Sequence, residues 1–176
     1  MIRDNLQIGQ LEIISYPDPR LRERARPVEA VTSEIEALVE RMSAMMVESQ
    51  GVGLAATQLG VPLQVVTISL TGKREDVEVF INPQLGGFDG VSEMEEGCLS
   101  LPGIRGMVRR SAFCQVSAMD VEGNDFCMDM VDLGATVIQH ETDHLEGKLF
   151  IDRLSTISLM SCRRGLKQLE QDFKHQ

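Results

Sequence analysis

Val137-Ile138-Gln139-His140-Glu141-Thr142-Asp143-His144-Leu145-Glu146-Gly147 is the stretch on which the reading of this chain turns. On an α-helix, residues four apart are rotated by only about 40° and separated by roughly 6 Å along the axis. His140 and His144 can then reach one metal ion, and Glu141, about 100° round the helix, stands beside it free to handle protons. The local pattern favours that helix. Leu133, Val137, Ile138 and Leu145 recur at helical spacing, and Gly147 is placed to end it in the left-handed conformation. The competing reading is a buried helix whose histidines are only hydrogen-bonded in the core.

Outward from this helix, Phe113 to Met119 and Phe126 to Val131 alternate as two strands, with Glu122-Gly123-Asn124-Asp125 as the turn between them. Downstream, Leu149-Phe150-Ile151 is a short strand candidate. Ser155 is placed to cap a closing helix through Ile157, Met160, Leu166, Leu169 and Phe173. Towards the start, Met1 to Gln10 reads as a loose leader and Tyr16-Pro17-Asp18-Pro19 as a turn. Ser33-Glu34-Ile35-Glu36 fits a capping box, followed by apolar residues at helical spacing from Ile35 to Met46. The small residues from Gly51 to Gly60 suit a close approach of backbone to something else but lack the lysine of a phosphate loop. Leu63 to Leu70, nearly continuous in apolar residues, and Val77 to Ile81 read as strands, and a glycine-bearing region from Gly86 to Gly97 follows. This order lacks the regular alternation of a parallel sheet. The expected fold is α+β, with mixed or antiparallel sheets packed around a central metal-binding helix and a C-terminal helix, in one domain spanning 1–176.

The 176 residues suffice for a single core, and the formal charge of −10 argues against a primary grip on DNA or an anionic membrane. No secretory signal pattern or long apolar run is seen, so the expected compartment is the cytoplasm, where the four cysteines are thiols or metal ligands. A catalytic ion with an open water position needs a third protein ligand. Cys98 stands out because Glu95-Glu96-Gly97-Cys98-Leu99-Ser100-Leu101-Pro102-Gly103 has turn residues on both sides, whereas Cys114, Cys127 and Cys162 sit in strand or helix patterns. On spacing alone, an acidic residue is as good a third ligand as Cys98.

Three stretches in this order and spacing closely resemble the three motifs of the peptide deformylases: Gly51-Val52-Gly53-Leu54-Ala55-Ala56-Thr57-Gln58, Glu96-Gly97-Cys98-Leu99-Ser100 and Gln139-His140-Glu141-Thr142-Asp143-His144. The likeness spans nearly the whole chain and takes in Tyr16 to Arg22 and Leu149 to Asp152. It implies that Cys98, His140 and His144 bind one divalent ion per chain, Fe2+ in the cell, with Zn2+ or Ni2+ able to occupy the purified protein. It further implies Glu141 as general base and acid, with Gln58 and the Leu99 N–H holding the oxyanion as N-formylmethionyl peptides lose formate. By the same resemblance, Val52, Gly53 and Gly97 line the substrate backbone. Met94, Leu133, Thr136 and Val137 join Val52 and His140 around the methionine side chain, and Arg105 lies near the next residue. The closing helix, carrying Arg163, Arg164, Lys167 and Lys174, is implied to dock on the ribosome.

The likeness has departures. Thr136 stands where a branched apolar residue is usual, Gln50 where an acid is common and Arg109 where proline often appears. Three readings compete with it. One is a zinc endopeptidase of the His-Glu-x-x-His class with a downstream carboxylate such as Glu170 as third ligand, and another is a structural metal module whose site is closed by a second cysteine. The third is a deformylase-like protein that binds peptides without turning them over, against which the intact Glu141 argues.

Overall fold

The computed structural model describes residues 7–175, so the expected leader falls largely outside the described residues; of its remainder, Ile8–Gln10 forms a 3-10 turn. The strands are β1 (Gly53–Ala55), β2 (Val65–Ile68), β3 (Glu78–Asp89), β4 (Ser92–Cys98), β5 (Leu101–Arg110), β6 (Phe113–Met119) and β7 (Asp125–Val131). The helices are α1 (Ser33–Glu48), α2 (Asp132–Leu145) and α3 (Thr156–Phe173). A five-stranded antiparallel sheet runs β1-β2-β3-β6-β7, and β4 pairs with β5 as a separate two-stranded sheet. The architecture is α+β, with antiparallel sheets and a C-terminal helix.

Strand alternation explains how the layers stack, because successive side chains point to opposite faces. Leu54, Val65 and Ile81 pack with the apolar face of α1, while their neighbours Ala55, Val66 and Phe80 pack with Ala135 and Ile138 of α2. Both faces are therefore covered at β2, whose four residues are all buried and apolar except for Thr67, while β6 keeps one face in solvent. The opposite side of α2 meets β4 and Phe150, and β5 in turn packs on Cys162 and Leu166 of α3. The order is α1, five-stranded sheet, α2, two-stranded sheet, α3, with α2 in the middle. Ten of its residues, from Gly134 to Leu145, are buried.

Several local expectations need correction. Thr32 rather than Ser33 precedes α1, with no side-chain cap bond, so the capping box is not formed. Residues 86–97, to which the sequence assigned no element, are mostly strand: β3 continues to Asp89 and β4 begins at Ser92, with a bend at Gly90, φ 64°, between them. Phe150–Arg153 is a 3-10 turn instead of a strand, closed by Asp152 accepting from the Leu149 N–H at 2.8 Å. Cys127 is exposed on β7, whereas Cys114 and Cys162 are buried as small apolar groups.

Candidate active site

Glycine decides how α2 ends, and that fixes the histidine-bearing turn. Gly147, at φ 73°, lets its N–H bond to His144 O at 3.1 Å and the Lys148 N–H bond to Asp143 O at 2.9 Å, the paired bonds of a Schellman cap. One turn earlier, the rings of His140 and His144 lie edge to face with centroids 5.0 Å apart.

The two-stranded sheet supplies what faces them. Along β4, Met94 and Glu96 occupy the inward positions while Glu93 and Glu95 face solvent, and a register shift at Gly97 and Cys98 turns the cysteine in beside the rings. Cys98 Sγ is 3.2 Å from His144 Nε2, and the candidate ligand atoms of Cys98, His140 and His144 all lie within 4.8 Å of one another. A tetrahedral ion with bonds of 2.0–2.3 Å separates its ligands by about 3.5 Å, so this sulfur and two imidazoles fit one such ion with a fourth position left over. Among the described residues no other such cluster occurs.

Gln58 reaches the same place from the 3-10 turn Ala56–Leu59. The Ala55 N–H can only donate, so it faces Gln58 Oε1 at 2.9 Å and leaves the amide NH2 pointing inward, to Cys98 Sγ at 3.4 Å and Ser100 Oγ at 3.2 Å. Residues near the start bind both loops together: Ile14 N–H donates to Gln58 O and Tyr16 N–H to Ser100 O, each at 2.8 Å.

A buried charge network, not foreseen in the sequence, stands behind the rings. His140 Nδ1 donates to Glu96 Oε2 at 2.8 Å, which directs the other ring nitrogen towards the cluster. Arg110 grips Glu96 with two bonds of 2.5 and 2.9 Å and reaches Asp143 Oδ2 at 2.8 Å, and Arg153 donates to both oxygens of Asp143. Glu96, Arg110 and Asp143 are all buried. Burial works against ionised Glu96 and Asp143, but the partnering cations hold both carboxyls below their usual range. Burial also opposes a charged His140, yet the Cys98 sulfur, Glu96 and Glu141 outweigh it and push the ring up to about 10. His144 is driven the other way, well below its usual value, by burial and by His140.

Glu141 lies behind Gly53. Its Oε2 is buried with no partner among the described residues, and burial pushes its carboxyl up to about 7 against the pull of His140 and Arg110. A Cβ at Gly53 would run into Glu141 Oε1 and come within 2.9 Å of Val137 Cγ1, so only glycine leaves room for this carboxylate. In front of it opens a cleft of about 530 Å3. Of the site residues that the family resemblance implies, all but the buried His144 line it: Val52, Gly53 and Gln58 on one side, Met94, Gly97, Cys98, Leu99 and Arg105 on the second, Leu133, Thr136, Val137, His140 and Glu141 on the third. Glu170, the carboxylate considered as a third ligand, instead accepts from the Tyr16 hydroxyl at 2.9 Å, and no second cysteine joins the cluster among the described residues. The endopeptidase and closed-site readings lose their ligands.

The arrangement is one of nitrogen and sulfur donors, a buried carboxylate and amide donors converging on an open cleft, suited to hydrolysis of a small amide. Comparison with known proteins points the same way. Residues 10–159 match the polypeptide deformylase family. A peptide deformylase of Nitrosococcus oceani is 46% identical over 154 residues, 88% of this chain and 92% of that protein. Among solved structures, a plant peptide deformylase superposes with a TM-score of 0.91 at 34% identity, covering 94% of this chain and 92% of the other. The Plasmodium falciparum peptide deformylase gives 0.90 at 33% (93% and 98% covered), and that of Legionella pneumophila 0.86 at 38% (94% and 98%).

Proposed function

The chain belongs to the polypeptide deformylase family and is a metal-dependent hydrolase that releases formate from N-formylmethionyl peptides, and on that premise we propose which of its residues do the work. Cys98, His140 and His144 hold the ion. When bound, a divalent ion in this donor set supplies Lewis acidity towards water and carbonyl oxygen. Glu141 accepts a proton at its carboxylate as water is activated, then returns it to the leaving nitrogen as the formyl C–N bond breaks. The Gln58 amide and the Leu99 N–H donate to the oxygen that gains charge on the formyl carbon. The products are formate and a free amino terminus.

The substrate lies as an extra strand between Val52-Gly53 and Gly97, a mode that draws affinity from backbone bonds. Val52, Met94, Leu133, Thr136, Val137 and His140 surround the methionine side chain, and Arg105 meets the next residue. Fe2+ is the working ion, which anaerobic reconstitution checks: greater activity with Zn2+ than with Fe2+ refutes it. The whole of 1–176 acts as one catalytic domain in the cytoplasm, and α3 docks it on the ribosome. Among the described residues, no helix is long and apolar enough to cross a membrane.

The observation that carries these assignments is the meeting of three ligand atoms within 4.8 Å beside a buried carboxylate whose Oε2 has no protein partner among the described residues. Formate release from formyl-Met-Ala-Ser tests them. Glu141→Ala keeps the metal and loses about 10²–10⁴-fold in kcat; a variant with near-normal turnover removes Glu141 from the proposed role.

A further inference from the structure

Thr136 presents a hydroxyl beside the apolar side chains of Leu133 and Val137 in the cleft wall. It lies on α2 one turn before His140, is 5% exposed, and lines the cleft with Leu133 and Val137. A threonine inside a helix commonly returns its hydroxyl to the carbonyl four residues back, as Thr142 of the same helix does to Ile138 O at 2.8 Å. Thr136 does otherwise. Among the described residues, the hydrogen-bond partner of its Oγ1 is the thioether of Met94 on β4, at 3.7 Å across the cleft wall. A buried O–H without a partner is costly, and here the partner is a weak acceptor on a flexible side chain.

We propose that the Thr136 hydroxyl reads sulfur in the substrate. It exchanges the Met94 thioether for that of the incoming first side chain, and so favours methionine over a hydrocarbon of the same length. This inference rests on the proposal above that the pocket formed by Val52, Met94, Leu133 and Thr136 takes that side chain. Pockets that only enclose hydrocarbon separate near-isosteres weakly, whereas a buried donor left without its acceptor penalises the analogue that lacks one. Norleucine replaces the sulfur by a methylene, so Thr136 then has only the displaced Met94 to turn to. The discrimination is of the size of one neutral hydrogen bond, about fivefold.

The test is kcat/KM for formate release from formyl-Met-Ala-Ser and formyl-Nle-Ala-Ser, with wild type, Thr136→Val, Thr136→Ser and Met94→Leu compared in parallel. The Met-to-Nle ratio falls about fivefold in Thr136→Val, which keeps the shape and loses the donor. It is kept in Thr136→Ser, which retains the hydroxyl, and is kept or raised in Met94→Leu, where the competing acceptor is gone. An unchanged ratio in Thr136→Val overturns the proposal. So does an equal fall in Met94→Leu, which would mean that pocket shape and not the donor sets the preference. Formate release with unaltered ratios sinks this inference alone, while no release from either peptide by the metal-loaded wild type sinks the proposed site roles with it.

Discussion

Glu96 neither joins the ligand cluster nor is proposed to meet substrate, yet it sets the ring of His140 and anchors Arg110 in the interior. Breaking a buried ion pair by removing one partner costs about 3–5 kcal/mol, because the other charge is stranded. Glu96→Ala therefore lowers stability by that order in a urea melt and weakens metal affinity about 10–100-fold; a normal melt with normal affinity contradicts the role. Gly53→Ala separates geometry from stability. Its new methyl displaces the tip of Glu141, so activity falls about 10²-fold while the thermal midpoint moves by only a few degrees, as kinetics and calorimetry on one sample would reveal. Helical spacing made the meeting of His140 and His144 legible, and family resemblance singled out Cys98. Glu96 falls within a quoted motif, but its buried role gave no signal because an acid beside glycine reads as a solvated turn, and its partner Arg110 is supplied by the other strand of a hairpin that was not foreseen.

The elements were legible where one periodicity governed them and illegible where two effects competed. β6 runs from Phe113 to Met119 as its alternation predicts, and α3 starts behind Ser155, whose side chain accepts from Ser158 N–H. β4 and β5 escaped because glycines, charges and a bulge interrupt their alternation, and a sheet of two strands leaves one face of each half wet. The 3-10 turn at Phe150–Arg153 looked like a strand because three apolar residues in a row do not reveal a period. The α2 cap is a test at this scale. At Gly147 a Cβ would strike the Arg22 backbone, 2.8 Å from its carbonyl carbon, in a left-handed conformation that itself costs roughly 1–2 kcal/mol. Gly147→Ala should therefore lose about 2 kcal/mol or more, a fall of about 4–8 °C in Tm, and a wild-type melt would show that the cap contributes little. Asp152 closes the neighbouring turn. Burial raises its carboxyl, but Arg22 and the Leu149 N–H prevail and hold it below the usual range. A depressed folded-state pKa gives stability that is full above the unfolded value of about 4 and drains away as pH falls through the folded one. Asp152→Asn thus lowers Tm near neutrality, and its gap from wild type narrows as pH drops below about 4; a gap independent of pH would contradict the pairing.

Across the whole molecule the charge is unevenly spread: a chain of net −10 carries Arg163, Arg164 and Lys167 on the exposed side of α3, away from the buried Cys162 and Leu166. That separation allows the proposed ribosome contact to be tested without cutting into the core. Reversing the three charges to glutamate leaves the melt within a few degrees and weakens ribosome co-sedimentation in a salt-sensitive manner, and undiminished binding removes the proposal. At this scale the sequence conveyed the class of fold and the central place of the histidine helix, since length, charge and periodicity constrain both. The layer order was hidden, because which sheet face meets α1 and which meets α2 depends on pairings far apart in the chain. The layers bring β4, the Gln58 turn and α2 to a single point, and the account stands or falls on whether that point holds an ion through Cys98. The direct measurement is the metal content of anaerobically purified protein, wild type against Cys98→Ala. One divalent ion per folded wild-type chain and almost none in the variant is the expected result; a folded variant that retains a full equivalent would contradict it.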